Sequence, residues 1–274
     1  MSRRLLPLFA ALLALGGCVS MPMIDPGKVG SPRTVAIVDI PEVKPMALIG
    51  VLTPHAPGPN QFHFSAQGDQ FFDYPGAPER PAGFNTGAFG LIPALIDQQA
   101  DETQKRAQAF GAEIAKLYPG FNLRADFMQS LRAALEARGA AVSVLEDGRG
   151  KAPRLRWPAA DAEGNRYPSG SLDSAPPVDA DIVLQVSPIA MYNSPGPLNN
   201  YNVNVTVGVA LYNGRTRQFL GRQTLRYAAG DAPWFARYDT LLAELRRAAP
   251  PLRDGLRALA PQVADLATGR APRQ

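Results

Sequence analysis

Tyr201 to Tyr212 alternates apolar and polar side chains along its whole length and runs directly into Asn213-Gly214. Tyr201, Val203, Val205, Val207, Val209 and Leu211 fall on one face, and Asn202, Asn204, Thr206, Gly208 and Ala210 on the other. A period of two is the period of a strand. A strand with one apolar face must bury it against something. Asn and Gly both tolerate positive φ, so the pair predicts a tight hairpin turn with Phe219 to Tyr227 as the return strand. A lone hairpin is marginal in water, so the rest of the chain has to supply its cover.

The cover is legible in Asn122 to Leu145. Asn122 is placed to cap a helix whose Leu123, Phe127, Leu131 and Leu135 share one face. Gly139 then reads as the residue that ends it, and Ala141 to Leu145 as a strand. Thr34 to Ile40, Met46 to Leu52 and Asp181 to Val186 are β-branched apolar runs without alternation, which is the pattern of strands covered on both faces. Phe62 and Phe64 alternate with polar residues and suggest one more short strand. Gly87 to Leu117 carries Phe89, Ile92, Ile96, Thr103, Phe110, Ile114 and Leu117 at helical spacing. At the other end Tyr238, Leu241, Leu242 and Leu245 form one stripe, and Leu252, Leu256, Leu259, Val263 and Leu266 a second. Pro250-Pro251 is expected to interrupt the two, and Pro261 to kink the second. The fold class that follows is α/β (α+β): a central mixed sheet of about five strands with helices packed on it, long Pro/Gly-rich loops and a C-terminal helical tail.

The loops are implied by 27 prolines and 25 glycines that cluster at 53–85 and 146–178. A structureless stretch of the second kind inside a domain is functional or mobile. Hydrophobic content of 46% and charged content of 19% describe a globular chain. The formal charge of +4 is too small to argue for nucleic acid.

The first residues bear on location. Arg3 and Arg4 precede an apolar run from Leu5 to Leu15, which is too short to stay in a bilayer as a spanning helix. Leu15-Gly16-Gly17-Cys18 follows, and Cys18 is the only cysteine. This tract resembles the lipobox of bacterial lipoproteins. The resemblance implies diacylglycerol on the Cys18 sulfur, cleavage between Gly17 and Cys18, and acylation, as by palmitate, of the new amino terminus. Val19 and Ser20 come next, with no acidic residue, and by the same resemblance the protein is sorted to the outer membrane, facing the periplasm. The organisation expected is a signal peptide at 1–17, a lipidated flexible tether at 18–33, a periplasmic α/β domain at 34–230 and a helical segment at 231–274 packed on that domain. With Cys18 acylated no disulfide is possible, so packing alone has to hold the fold.

Motifs for chemistry are sparse. The chain has no Gly-rich phosphate loop followed by Lys-Ser or Lys-Thr, and no Gly-x-Ser-x-Gly elbow. Its two histidines, His55 and His63, lie near Ser65, Asp69 and Asp73, a grouping better read as polar loop residues than as a metal or proton site. The carboxylates are scattered and do not pair from sequence, and Asp179 and Asp181, where a loop enters a strand, read as turn chemistry. No catalytic residue, metal or cofactor is expected. Tyr192 to Tyr201 joins two strands and sets amides between two tyrosines, which makes Tyr192, Asn193, Asn199, Asn200 and Tyr201 the candidate partner contact.

Thr34 to Ile40, Phe127 to Leu145, Ala180 to Val186 and the hairpin at Asn213-Gly214, taken with the lipobox, resemble the periplasmic α/β lipoproteins related to the curli-secretion lipoprotein, the penicillin-binding-protein activator lipoprotein and the N-terminal domain of the Tol propeller protein. That resemblance implies a sheet with two main helices on one face and a non-enzymatic binding or assembly role in the cell envelope. It lends no catalytic residue. The expected partners are the membrane, through Cys18, and an envelope protein. The alternatives are a self-assembling secretion or transport component, hence a homo-oligomer, and a cell-wall-acting hydrolase.

Overall fold

A computed structural model describes residues 23–40, 42–49, 109–145, 177–194 and 200–271. Six strands form one mixed sheet: β1 (Thr34–Val38), β2 (Met46–Ile49), β3 (Ala141–Leu145), β4 (Ile182–Ser194), β5 (Asn202–Asn213) and β6 (Phe219–Arg226). Their order is β3-β1-β4-β5-β6, with β2 also paired to β4. The helices are α1 (Pro26–Val29), α2 (residues 109–117), α3 (Leu123–Glu136), α4 (Tyr238–Ala243) and α5 (Leu245–Ala267). This is the α/β class expected, with helices on a mixed sheet and a C-terminal helix.

β4 is the spine. It runs antiparallel to β5 from Ile182 against Asn213 to Asn193 against Asn202. Its other edge takes two parallel partners in succession: β1 beside Ile182–Leu184 and β2 beside Met191–Ser194. Between them β4 pairs with neither strand, and just beyond β1 the Arg124 Nε of α3 donates to the Ile40 carbonyl at 2.7 Å, with its guanidinium paired with Asp39. Pro188 sits within this unpaired stretch. A proline inside a strand normally demotes it, and the sequence reading ends this strand at Val186. Here the strand continues through Ser194 because the edge around Pro188 pairs with neither β1 nor β2.

α3 and α5 cover one face of the sheet. Leu123, Phe127, Leu131 and Leu135 of α3 and Leu252, Leu256, Leu259 and Val263 of α5 are buried in one cluster with Val35, Ile37, Leu184, Val205, Val207, Val209 and Leu211. Asn122 caps α3 as expected, its Oδ1 accepting from the Ala125 N–H at 2.9 Å. The opposite face holds a smaller cluster of Ala36, Val38, Val183, Ala210, Tyr212 and Phe219.

Four expectations are corrected. Pro250 and Pro251 lie inside α5, which runs unbroken from Leu245 to Ala267 with Pro261 also within it. Each proline costs the helix about 3 kcal/mol, but the buried stripe from Ala248 to Ala267 outweighs that sum. Asn213-Gly214 does reverse the chain, though not as a two-residue turn. Asn213 Oδ1 accepts from the Arg215 and Thr216 N–H groups, and the positive φ falls on Arg217, at 62°. Gly214 is needed for close approach instead: a Cβ there would lie 2.2 Å from the Ala180 carbonyl oxygen. Residues 23–33, expected as part of a flexible tether, are instead folded onto the body. Met23 bridges Arg222, Ile24 and Val29 are buried, and Asp25 caps α1. The candidate contact tyrosines are corrected below. The aromatic segment 53–85 with His55 and His63, residues 87–108, the stretch 146–176, Asn199, Gly17 and Cys18 lie outside the described residues.

Candidate functional site

The segment from Tyr192 to Tyr201 leads to the end of the sheet where β4 finishes and β5 begins. Tyr192 stands on the helix-covered face, since Tyr192 and Leu184 alternate in phase along β4. It is fully buried, with its ring edge-on to Phe110 of α2 (centroids 6.1 Å apart) and to Phe235 (5.3 Å). Phe235 is held there by backbone. Tyr201 donates its N–H to the Phe235 carbonyl at 2.8 Å, and Phe235 donates back to the Tyr201 carbonyl at 3.0 Å. Tyr201 is itself buried, 6.2 Å from the Tyr238 ring, and the Arg247 guanidinium lies 5.8 Å from the Phe235 centroid. Edge-on aromatic pairs of this kind add about 0.5–1.5 kcal/mol each beyond their burial.

Tyr192 and Tyr201 are therefore a buried aromatic joint and not contact residues. The reason is energetic: each ring loses about 1.5–3 kcal/mol of burial if it is turned to water. Asn193 is half-buried and Asn200 is exposed, with the Asn200 carbonyl accepting from Asn202 Nδ2 at 3.0 Å. What the joint presents outward is Trp234, 58% exposed and next to the locked Phe235. Sequence reasoning passed over Trp234. The signal was available, since a tryptophan between Pro233 and Phe235 in the turn leading to a helix is an unusual place for an apolar side chain.

Two buried oxygens at this end have no hydrogen-bond partner among the described residues, the Tyr192 hydroxyl and Asn204 Oδ1. They lie on adjacent registers of the β4–β5 ladder, where Tyr192 faces Val203 and Met191 faces Asn204. An unpaired buried polar atom costs about 1–3 kcal/mol. Desolvation pushes the Tyr192 phenol well above the usual tyrosine range, with Arg247 pulling weakly the other way, so the hydroxyl keeps its proton.

The opposite end of the sheet is built differently, around a paired carboxylate. Asp181 accepts from the Arg33 N–H at 2.8 Å, the Thr34 N–H at 3.0 Å and Arg215 NH1 at 2.6 Å, while its own N–H donates to Thr34 Oγ1. These donors, the Arg33 N–H first and then Arg215, hold its carboxyl at about 2. Asp179 reaches the same Arg215 at 3.4 Å. This is a lock joining the start of β1, the start of β4 and the hairpin, a long-range role rather than the local turn chemistry expected of the two aspartates. Among the described residues no group of three His, Cys, Asp or Glu side chains converges in a way that could hold a metal ion. Nor is any helix among them long and apolar enough to cross a membrane.

Comparison of the chain with protein-family models, with curated proteins and with solved structures gives no match.

Proposed function

We propose that this chain is an outer-membrane lipoprotein facing the periplasm, with a non-enzymatic binding or assembly role in the cell envelope. The observation that carries the reading is the place of the only cysteine. Cys18 follows Leu15-Gly16-Gly17, behind a basic start and an apolar run of the length a secretory signal uses. One lipid chain anchors weakly at about 0.8 kcal/mol per buried methylene, and the three chains implied here anchor firmly. The binding role is supported by the Tyr192 end of the sheet. There an exposed tryptophan stands next in the chain to Phe235 of a rigid aromatic joint. Tryptophan on a fixed support is the residue type that dominates protein interfaces.

The experiment is in-cell photo-crosslinking from Trp234 and Asn200, with exposed Ser143 on β3 as the control position, together with the intact mass of the mature chain. The expected result is a triacylated Cys18 and one recurrent envelope protein captured from Trp234 but not from Ser143. An unmodified Cys18 would remove the anchor. Capture of the chain by itself alone would replace an adaptor with a self-assembling component, and equal capture from both positions would remove the assigned contact surface.

A further inference from the structure

We infer that the β6 side of the domain lies against the lipid surface, on a leash too short for the domain to turn away. The inference rests on acylation of Cys18. From Cys18 to Met23 there are five residue steps, which span at most about 18 Å when fully extended. Met23 is where the chain joins the fold. Its backbone bridges Arg222 of β6 in parallel. The approach is close enough that a Cβ on Gly221 would lie 2.7 Å from the Met23 carbonyl oxygen. The chain is held again just beyond: Ile24 and Val29 are buried, and Gly30 packs on Gly269 at the end of α5. Lengthening the leash would mean undoing these contacts.

The surface at this point suits an anionic bilayer. The Met23 side chain is 69% exposed and, with Trp234, is one of the large apolar side chains left in water among the described residues. Arg222 stands in register with it, Lys28 is exposed in α1, and Arg270 is exposed directly after Gly269. The acidic group nearby, Asp25, turns its Oδ1 to the Gly27 N–H at 2.9 Å. An exposed apolar side chain on a segment that also carries exposed Lys28 gains from both the headgroup boundary and the negative surface potential. The far edge of the sheet lies well away from the point of attachment. β3 is five strand spacings from Met23, about 24 Å at ~4.8 Å each. β6 is thereby set toward lipid and β3 toward the periplasm.

The test uses the mature acylated chain in vesicles of phosphatidylethanolamine and phosphatidylglycerol that carry a headgroup nitroxide quencher. Because Cys18 is blocked by acylation, a new cysteine is the sole free thiol. Thr224→Cys on β6 and Ser143→Cys on β3, both exposed positions, each take one fluorophore. Quenching at position 224 is expected to be several-fold stronger than at 143. A Gly-Ser spacer of ~20 residues after Ser20, with about 25 Å of root-mean-square reach, should bring the ratio close to one. Equal quenching without the spacer overturns the orientation while leaving the anchor intact. A chain that fails to float with the vesicles overturns the anchor and the orientation with it. Protection of position 224 from a water-soluble quencher without lipid quenching would mean that a protein covers this face, and would overturn the assignment to lipid.

Discussion

Gly139 and Gly269 form a matched pair that isolates the docking of the N-terminal segment. Each ends a long helix in the same way. Gly139 donates to the Glu136 carbonyl and Ala140 to Leu135, while Gly269 donates to Leu266 and Arg270 to Asp265. Both are left-handed, with φ of 85° and 68°. An alanine at either position pays the same left-handed strain, about 1–2 kcal/mol. Their surroundings differ. A Cβ on Gly139 meets nothing within 4 Å, whereas one on Gly269 would lie 1.9 Å from the Gly30 carbonyl oxygen. That atom is backbone, so residues 23–30 must move, and the burial of Ile24 and Val29 is put at risk. Each is worth at most about 1.5–3 kcal/mol; with the segment displaced and not wholly lost, we expect a further ~1–2 kcal/mol. Gly139→Ala should therefore destabilise by about 1–2 kcal/mol and Gly269→Ala by about 2–4 kcal/mol. The assay is urea unfolding of a soluble form starting at Val19, read with hydrogen exchange at the Val29 and Gly30 amides, which donate to Asp25 and Pro26. Protection of those two amides should fall in Gly269→Ala alone. Equal destabilisation with unchanged protection would refute the docking of the segment on α5.

Three further outcomes are expected. Tyr192→Phe should be neutral or stabilising by up to about 1 kcal/mol in denaturant unfolding, because it removes an unpaired buried hydroxyl; a clear loss of stability would mean that the hydroxyl is satisfied in the folded protein. Asp181 titrates near 2 in the fold against 3.8 unperturbed. A depressed folded value stabilises above the unfolded one, so its contribution is complete above about pH 4 and is lost as pH falls toward 2. Because Asp181 is partly exposed, we expect about 1 kcal/mol, and Asp181→Asn should flatten the stability–pH curve in that window. Arg138 joins α3 to α5 through Asp265 at 2.8 Å and the Pro261 carbonyl at 2.8 Å, with both charged side chains mostly buried. Arg138→Met strands the Asp265 carboxylate and should cost about 3–5 kcal/mol, whereas the double variant Arg138→Met with Asp265→Leu should recover much of it; no recovery would mean the two do not act as a pair.

The local elements were largely legible. Asn122, the Leu123–Leu135 stripe, Gly139 and Ala141–Leu145 appear as read, because a cap, an amphipathic stripe and a helix-ending glycine are decided within one turn of chain. The alternation of β5 survives for the same reason: pleat geometry is local. The misread elements share one cause, which is compensation by a distant neighbour. The stop signal of Pro188 is silenced by a gap between β1 and β2, and those of Pro250 and Pro251 by the sheet beneath α5. The Tyr192 and Tyr201 rings, polar enough to suggest a surface, are claimed by Phe110, Phe235 and Tyr238 from two other segments.

The sequence alone determined the cap and stripe of α3, the alternation of β5, the α/β class and the single cysteine, because each depends on residues close together in the chain or on composition. Only the tertiary structure decided the strand order, the burial of the aromatic joint, the outward tryptophan and the docking of residues 23–33. Those outcomes depend on which groups meet across long stretches of chain, and that is fixed by the competition for a shared core rather than by any local pattern.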